Sequence, residues 1–272
     1  MVGFGIVAIV SICALFAPLL APNDPGEQDL LHILIPAVWM TGGDPAFPLG
    51  TDSLGRCVLS RLLYGARTAM TVAILASVGA MLIGSVLAHI AGYFGGAVDW
   101  IIGRIVDVWM SFPPVILSLV LMVGLGIGLD KVILAIILVD WTRFCRVLRS
   151  EVLVVKQRDY VAAARLIGFS HWQTVTREVL PATLPLLITL LSLEMGIAVV
   201  VEAILSFVGL GVGPNQAAWG QMIADARQHI YVSAGALFFP VLAIFVTVTG
   251  FNLLGDGLRR ALDVRLIGTA EQ

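Results

Sequence analysis

Residues 68–91 read TAMTVAILASVGAMLIGSVLAHIA, a run without a single Asp, Glu, Lys or Arg. A bilayer core about 30 Å thick is crossed by about 20 apolar residues of helix, so this run is long enough to span it. Within it Ala76, Ala80, Gly84 and Ala88 recur every four residues, with Gly92 next in the series. That spacing places small side chains on one ridge, where another helix backbone can approach closely in lipid. The run predicts a membrane-spanning helix with a packing face, within a bundle or a dimer.

The rest of the chain has the same character. Its 272 residues are 59% hydrophobic and only 12% charged, with a mean hydropathy of +0.99. Soluble domains carry roughly twice that charge, so most of this surface must meet lipid. Further spans are expected at Val2–Leu20, Phe112–Gly128, Val132–Leu148, Ala182–Leu205 and Ala234–Leu254, which makes an all-α polytopic protein of about six transmembrane helices. Only Leu129-Asp130-Lys131 separates the third span from the fourth. The first span lacks the basic n-region of a signal peptide, and its Ala-Pro pairs at 17–18 and 21–22 make poor cleavage chemistry, so it reads as a retained helix.

Orientation follows from the Lys and Arg of the connections. Arg104, the segment carrying Arg143, Arg146, Arg149, Lys156, Arg158, Arg165 and Arg177, and the tail with Arg259, Arg260 and Arg265 fall on one side. Arg56, Arg61, Arg67, Lys131 and Arg227 fall on the other. The side holding eleven of the 16 basic residues, and both termini with it, is expected to be cytoplasmic.

Several chemistries are excluded. A net charge of −2 gives no footprint for nucleic acid. The three cysteines (Cys13, Cys57, Cys145) and four histidines are scattered, without metal-ligand or disulfide spacing. There is no GxxxxGK[ST] phosphate loop, and Gly124, Gly126 and Gly128 close an apolar span rather than following a strand. No GxSxG elbow is present. No catalytic, metal or cofactor site is expected, and energy for uphill transport would have to come from another subunit.

The connection at 143–181 is long for a compact bundle. Asp159-Tyr160-Val161-Ala162-Ala163-Ala164-Arg165-Leu166-Ile167 predicts a short helix closed by Gly168 as its left-handed cap. After Phe169, Ser170 reads as the N-cap of a second short helix, which Leu180-Pro181 is expected to stop before the next span. Two short helices joined at a glycine make a stiff protrusion on which a partner could push.

This segment resembles the EAA loop of permease subunits of bacterial ABC importers: Ala162-Ala163-Ala164, three residues, Gly168, then Leu180-Pro181. The family's usual glutamate falls on Ala162. The resemblance extends from about Pro18 to Leu266. Pro48–Arg56 with Ser60-Arg61 and Tyr64–Arg67, Leu205–Gly211 with Trp219-Gly220, and Asn252–Arg259 with Leu262-Asp263 are all similar to the dipeptide, oligopeptide and nickel group, and most similar to its C-type subunit. Cys57 stands where an aspartate is usual. The extension that many members carry ahead of the first span is not expected here.

The resemblance implies a MetI-like fold and an ATP-driven importer of dipeptides or short oligopeptides. It implies a homologous second permease, two ATP-binding subunits that use ATP and Mg, and an extracytoplasmic binding protein as partners. Residues 1–67 would hold the first helix and the extracytoplasmic segment, 68–258 the core with its EAA-type loop at 143–181, and 259–272 a cytoplasmic tail. Asp159, Tyr160, Ala163, Ala164, Arg165, Gly168, Phe169, Ser170, Leu180 and Pro181 would couple to the ATPase. Nickel chelates or haem are alternative cargoes. An ion-coupled carrier is the alternative class, although the inverted repeats it would require are not visible in the sequence.

Two further groups of residues stand out. Thr51 and Asp52 read as the cap of a helix whose polar face carries Arg56, Arg61 and Arg67. With Trp219 these are candidate contacts for an external binding protein or the pore entrance. Glu194 and Glu202, eight residues apart in the fifth span, lie within about 80° of each other around a helix. Carboxyls at membrane depth are costly and face a protein interior or a water-filled path. With Phe207 they are candidates for lining such a path.

Overall fold

The computed structural model describes residues 1–213, 216–231 and 234–262, and among these every regular element is helical. The expected ridge organises the bundle. Helix α3 (Val58–Phe94) buries Ala76, Ala80, Gly84, Ala88 and Gly92, and α6 (Leu129–Val155) lies against them. A side chain at Gly84 would strike the Trp141 carbonyl and Phe144, and one at Gly92 would strike Val152. Gly79 faces Ile137, so the two helices run parallel in close contact. The ridge therefore serves packing within one chain.

Among the described residues three helices are long and apolar enough to cross a membrane: Val58–Phe94, His171–Phe207 and Gly235–Leu262. The other expected spans take different forms. Helix α6 is long, but Asp130, Lys131, Asp140, Arg143, Arg146 and Arg149 interrupt its apolar run. The expected helix at Phe112–Gly128 forms as the shorter α5 (Pro114–Leu125), and an unexpected helix, α4 (Gly96–Met110), precedes it at 87°. Pro113 and Pro114 force the break, because proline both lacks an amide donor and disfavours helical backbone in the residue before it. Helix α4 runs antiparallel to α6, with Asp99 on Arg149, Asp107 on Arg146 and Trp109 Nε1 donating to the Leu138 carbonyl at 2.6 Å. The expected first span divides at Phe16 into α1 (Val2–Leu15) and a short α2 (Ala17–Leu20).

The connection at 143–181 forms α7 (Asp159–Leu166) and α8 (His171–Thr174) as expected, but Leu180-Pro181 does not stop the second helix. A wide π turn at Val175–Val179 carries it directly into α9 (Leu180–Phe207). In a regular α-helix the ring of Pro181 would press on the carbonyl four residues earlier, at Arg177. That carbonyl lies within the widened turn, which lets the helix continue.

Helix α10 (Trp219–Ala226) follows at the far end, and α11 (Ala234–Leu262) returns alongside α9, where Ser192 Oγ donates to the Phe251 carbonyl at 2.8 Å. Helix α1 packs antiparallel to α11, with Gly3 against Leu253 and Leu254 and Gly250 against Ile6 and Val7. The start of α1 and the end of α11 therefore share one end of the bundle. Of the expected tail only 259–262 are described; Asp263 and Arg265 lie outside the described residues.

Candidate functional site

At the end of the bundle where α3 and α6 finish, the α7–α8 hairpin is built from local rules. Gly168 adopts φ +97°, which only glycine holds without strain, and the Phe169 amide returns to the Ala164 carbonyl at 3.1 Å. Ser170 then caps α8 in a complete capping box with Gln173. Val161, Ala164, Val175 and Val179 are buried in or beside a small core with Tyr93, Val152 and Val155. Lys156 Nζ donates to the carbonyls of Gly92 and Tyr93, and Tyr93 Oη meets His171 Nδ1 at 3.2 Å, so the hairpin is fixed to the end of α3.

The outward side of the hairpin is apolar. Leu166 is 88% exposed, Ile167 76% and Trp172 71%, and Asp159, Tyr160, Ala163, Arg165, Gly168 and Ser170 are exposed around them. The Arg177 guanidinium lies 5.9 Å from the Phe169 ring. Exposed large apolar groups crowded on a protruding tip mark a contact surface for another protein.

At the opposite end the expected helix at 51–67 is replaced by a turn followed by a helix. Asp52 accepts from the amides of Leu54 and Arg56, and α3 starts only at Val58. Arg56 donates to Asp52 at 2.7 Å and to Asp225 at 3.0 Å, while Arg61 approaches the same two carboxylates at 3.7 and 3.9 Å. Arg56 and Arg61 are buried, Arg61 to 2% exposure, and do not lie on a polar surface as expected. The reason is electrostatic: two carboxylates from distant segments neutralise two arginines, which makes their burial tolerable. Trp219 is buried as well, over Gly65, with its Nε1 donating to the Leu62 carbonyl at 3.0 Å. Of the expected external contacts only Arg67 is exposed.

The membrane-depth acids are both buried within the chain. Glu194 Oε1 accepts from Arg143 Nη1 at 3.4 Å, and Asp140, on the same helix as Arg143, is buried as well. Glu202, 1% exposed, accepts from Ser206 Oγ at 2.6 Å. One oxygen of each, Glu194 Oε2 and Glu202 Oε2, has no hydrogen-bond partner. Phe207 is partly exposed, with the Arg227 guanidinium 5.3 Å from its ring.

Residues 80–268 match the model of the binding-protein-dependent transport system inner membrane component, and residues 1–37 match the N-terminal transmembrane domain of oligopeptide transport permease C. The chain belongs to this permease family. The permease is 39% identical to the glutathione transport system permease protein GsiD of Pectobacterium atrosepticum, over 83% of this chain and 75% of the relative. It is 37% identical to the di/tripeptide transport system permease protein DppC of Pseudomonas aeruginosa, over 98% and 88%. It is 38% identical to the nickel transport system permease protein NikC of Escherichia coli, over 96% and 92%. The fold is MetI-like: an inward-facing structure of the MetNI methionine ABC transporter superposes with a TM-score of 0.63 at 20% identity, covering 75% of this chain and 96% of that one. The relatives are transport permeases, which bears out the expectation of a non-catalytic membrane subunit in the peptide and nickel group of ABC importers.

Within the permease, the expected hairpin residues come together on one protrusion, whereas the two acids of α9 face different neighbours. Sequence reasoning missed Asp225, Arg143 and the exposed Leu166, Ile167 and Trp172. The last three carried a usable signal, since large apolar residues beside a glycine cap in a segment rich in Arg and Lys stand apart from its polar composition. Asp225 carried none, because its partner Arg56 lies 169 residues away.

Proposed function

We propose that this permease carries dipeptides or short oligopeptides into the cytoplasm, along the interface with a homologous second permease, driven by two ATPase subunits that consume ATP with Mg and fed by an extracytoplasmic binding protein. The α7–α8 hairpin is its coupling element, docking the Leu166–Ile167–Trp172 tip into an ATPase groove. The observation that supports this reading most is mechanical: the tip leads through α8 and the π turn into α9 without a break from His171 to Phe207. Displacement of the tip is thereby delivered to the helix that carries Glu194 and Glu202. The hairpin end of the bundle, with the start of α1 and the end of α11, lies in the cytoplasm of a bacterial cell, in keeping with the bias of Lys and Arg. Residues 1–67 supply the first transmembrane helix and the extracytoplasmic segment, 68–258 the core and 259–272 a cytoplasmic tail. A nickel chelate is a second reading of the cargo, favoured by the similar identity to a nickel permease.

The test is a cysteine at Leu166, in a chain whose Cys13, Cys57 and Cys145 are replaced, with the partner ATPases co-expressed in membranes. Leu166 is preferable to Gly168, whose φ a side chain would strain, and to Ser170, whose hydroxyl caps α8. A crosslink to the ATPase whose yield changes with ATP is expected. Its absence, with the partners present and the chain folded, would overturn the coupling assignment. Uptake assays with dipeptides and nickel chelates then separate the two cargoes.

A further inference from the structure

We propose that the cleft between α4 and α6 is a binding site for the headgroup of an anionic phospholipid. The inference rests on how α6 is placed in the bilayer and is independent of the cargo. The cleft has a volume of about 430 Å³, and its walls carry Asp99, Trp100, Arg104, Asp107, Arg146 and Arg149. Arg149 holds Asp99 through two hydrogen bonds, and Arg146 holds Asp107 at 2.5 Å. Arg104 is left over: among the described residues it pairs only with Asp107, at 3.8 Å, and its side chain is 65% exposed, with the guanidinium 5.9 Å from the Trp100 ring. Three guanidiniums against two carboxylates leave the cleft one positive charge in excess, with free N–H donors for phosphate oxygens.

Its depth matches a headgroup. On α6 the charges at Asp130 and Lys131 and those at Arg146 and Arg149 bound a run whose interior charges are taken up inside the chain, Asp140 by burial and Arg143 by its contact with Glu194. From Lys131 to Arg149 the helix rises about 27 Å, close to a hydrocarbon core of about 30 Å. Lys131 therefore sits near one boundary and the cleft near the other. Beside the cleft, Ile101, Ile105 and Val108 of α4 stand exposed along one line, which offers a path for the acyl chains. Trp100, also exposed, belongs at such a boundary because its ring is amphipathic. A basic pocket between spanning helices at headgroup depth is suited to an acidic lipid. Asp99 and Asp107 are engaged by Arg149 and Arg146, so the charge left for a ligand is the positive one of Arg104 and not a carboxylate for the ammonium of a zwitterionic lipid.

The experiment uses the full-length chain in the complex it forms in membranes, purified in detergent, stripped of lipid and titrated with phosphatidylglycerol or cardiolipin while bound lipid is counted by native mass spectrometry. Phosphatidylethanolamine of the same acyl composition is the comparison. Anionic lipid is expected to be retained preferentially, and Arg104→Ala to weaken its retention about five-fold, the value of one arginine at a charged membrane surface. Arg104→Lys should keep most of the affinity, and Arg67→Ala, at the far end of the bundle, should leave it unchanged. Arg104 is exposed, so unaltered melting of the lipid-free variant certifies its fold. Equal retention of phosphatidylethanolamine, or no response to Arg104→Ala, would overturn the proposal. Full displacement of the lipid by inorganic phosphate would overturn it too, by marking a site for small anions.

Discussion

Arg56 Nη2 lies 3.0 Å from Asp225 Oδ2, and this contact joins the turn before α3 to α10 across 169 residues of sequence. Arg61 faces the same carboxylate at 3.9 Å, and its Nε and Nη2 have no hydrogen-bond partner. Asp225→Ala would leave two arginines with a single carboxylate in the interior. Removing one member of a buried pair costs about 3–5 kcal/mol, which the partial exposure of Asp225 reduces to about 2. Arg67→Ala, on an exposed side chain, should change stability by less than about 0.5 kcal/mol. Thermal unfolding of the two variants in detergent checks the difference, and equal melting temperatures would show that the cluster does not hold α10 in place.

The α3–α6 contact makes a second comparison. Gly84→Ala drives a methyl group into the Trp141 carbonyl and Phe144, an overpacking of about 1–3 kcal/mol. Gly103→Ala, on α4, meets nothing within 4 Å and gains helix propensity, so it should be neutral or slightly stabilising. The melting temperatures of both variants decide whether the ridge is as tight as its geometry implies.

For the hairpin, Leu166→Ser and Trp172→Ala each remove an exposed apolar group that supports no core. Neither should lower stability measurably. If the tip is the coupling surface, truncating an anchor of this kind costs about 2 kcal/mol or more of docking, roughly thirty-fold in affinity. ATP-dependent uptake should fall accordingly, and retained uptake in both variants would place coupling elsewhere. Gly168→Ala should lower both stability and uptake, because φ +97° strains any side chain.

Arg143 and Glu194 form the third charge site. Arg143→Ala leaves the buried Glu194 without its cation and, because Arg143 is partly exposed, should destabilise by about 2 kcal/mol. Adding Glu194→Gln to that variant should recover most of the loss, because the neutral amide no longer needs the guanidinium. A double-mutant cycle on unfolding free energy measures the coupling, expected at about 1–3 kcal/mol. A value near zero would mean that the two residues are merely neighbours.

How much was legible depended on the range of the interaction that decided each feature. The ridge of α3 could be read because four-residue spacing is a local property, and so could the α7–Gly168–α8 turn, whose cap and capping box involve residues at most five apart. The break at Pro113-Pro114 is equally local, yet α4 ahead of it was not expected, because Asp99, Arg104 and Asp107 interrupt its apolar run. Pro181 misled in the opposite sense: proline rules forbid a regular helix but not one with a wide π turn ahead of the ring. Arg56 and Arg61 read as a polar surface because their partner Asp225 is remote in sequence.

The sequence by itself determined that this chain is a helical membrane permease of the binding-protein-dependent family, since hydropathy, charge bias and short motifs are properties of segments. It also determined where the α7–α8 hairpin lies, that Gly168 closes its first helix and that Ser170 opens its second. Only the tertiary structure decided that the α3 ridge packs on α6 of the same chain, that α8 and α9 form one continuous helix through the π turn, and that Arg56 and Arg61 are interior. Each of those outcomes turns on a neighbour. A small residue, a proline or an arginine fixes what its position requires, whereas the partner that meets the requirement is chosen by how the helices come together.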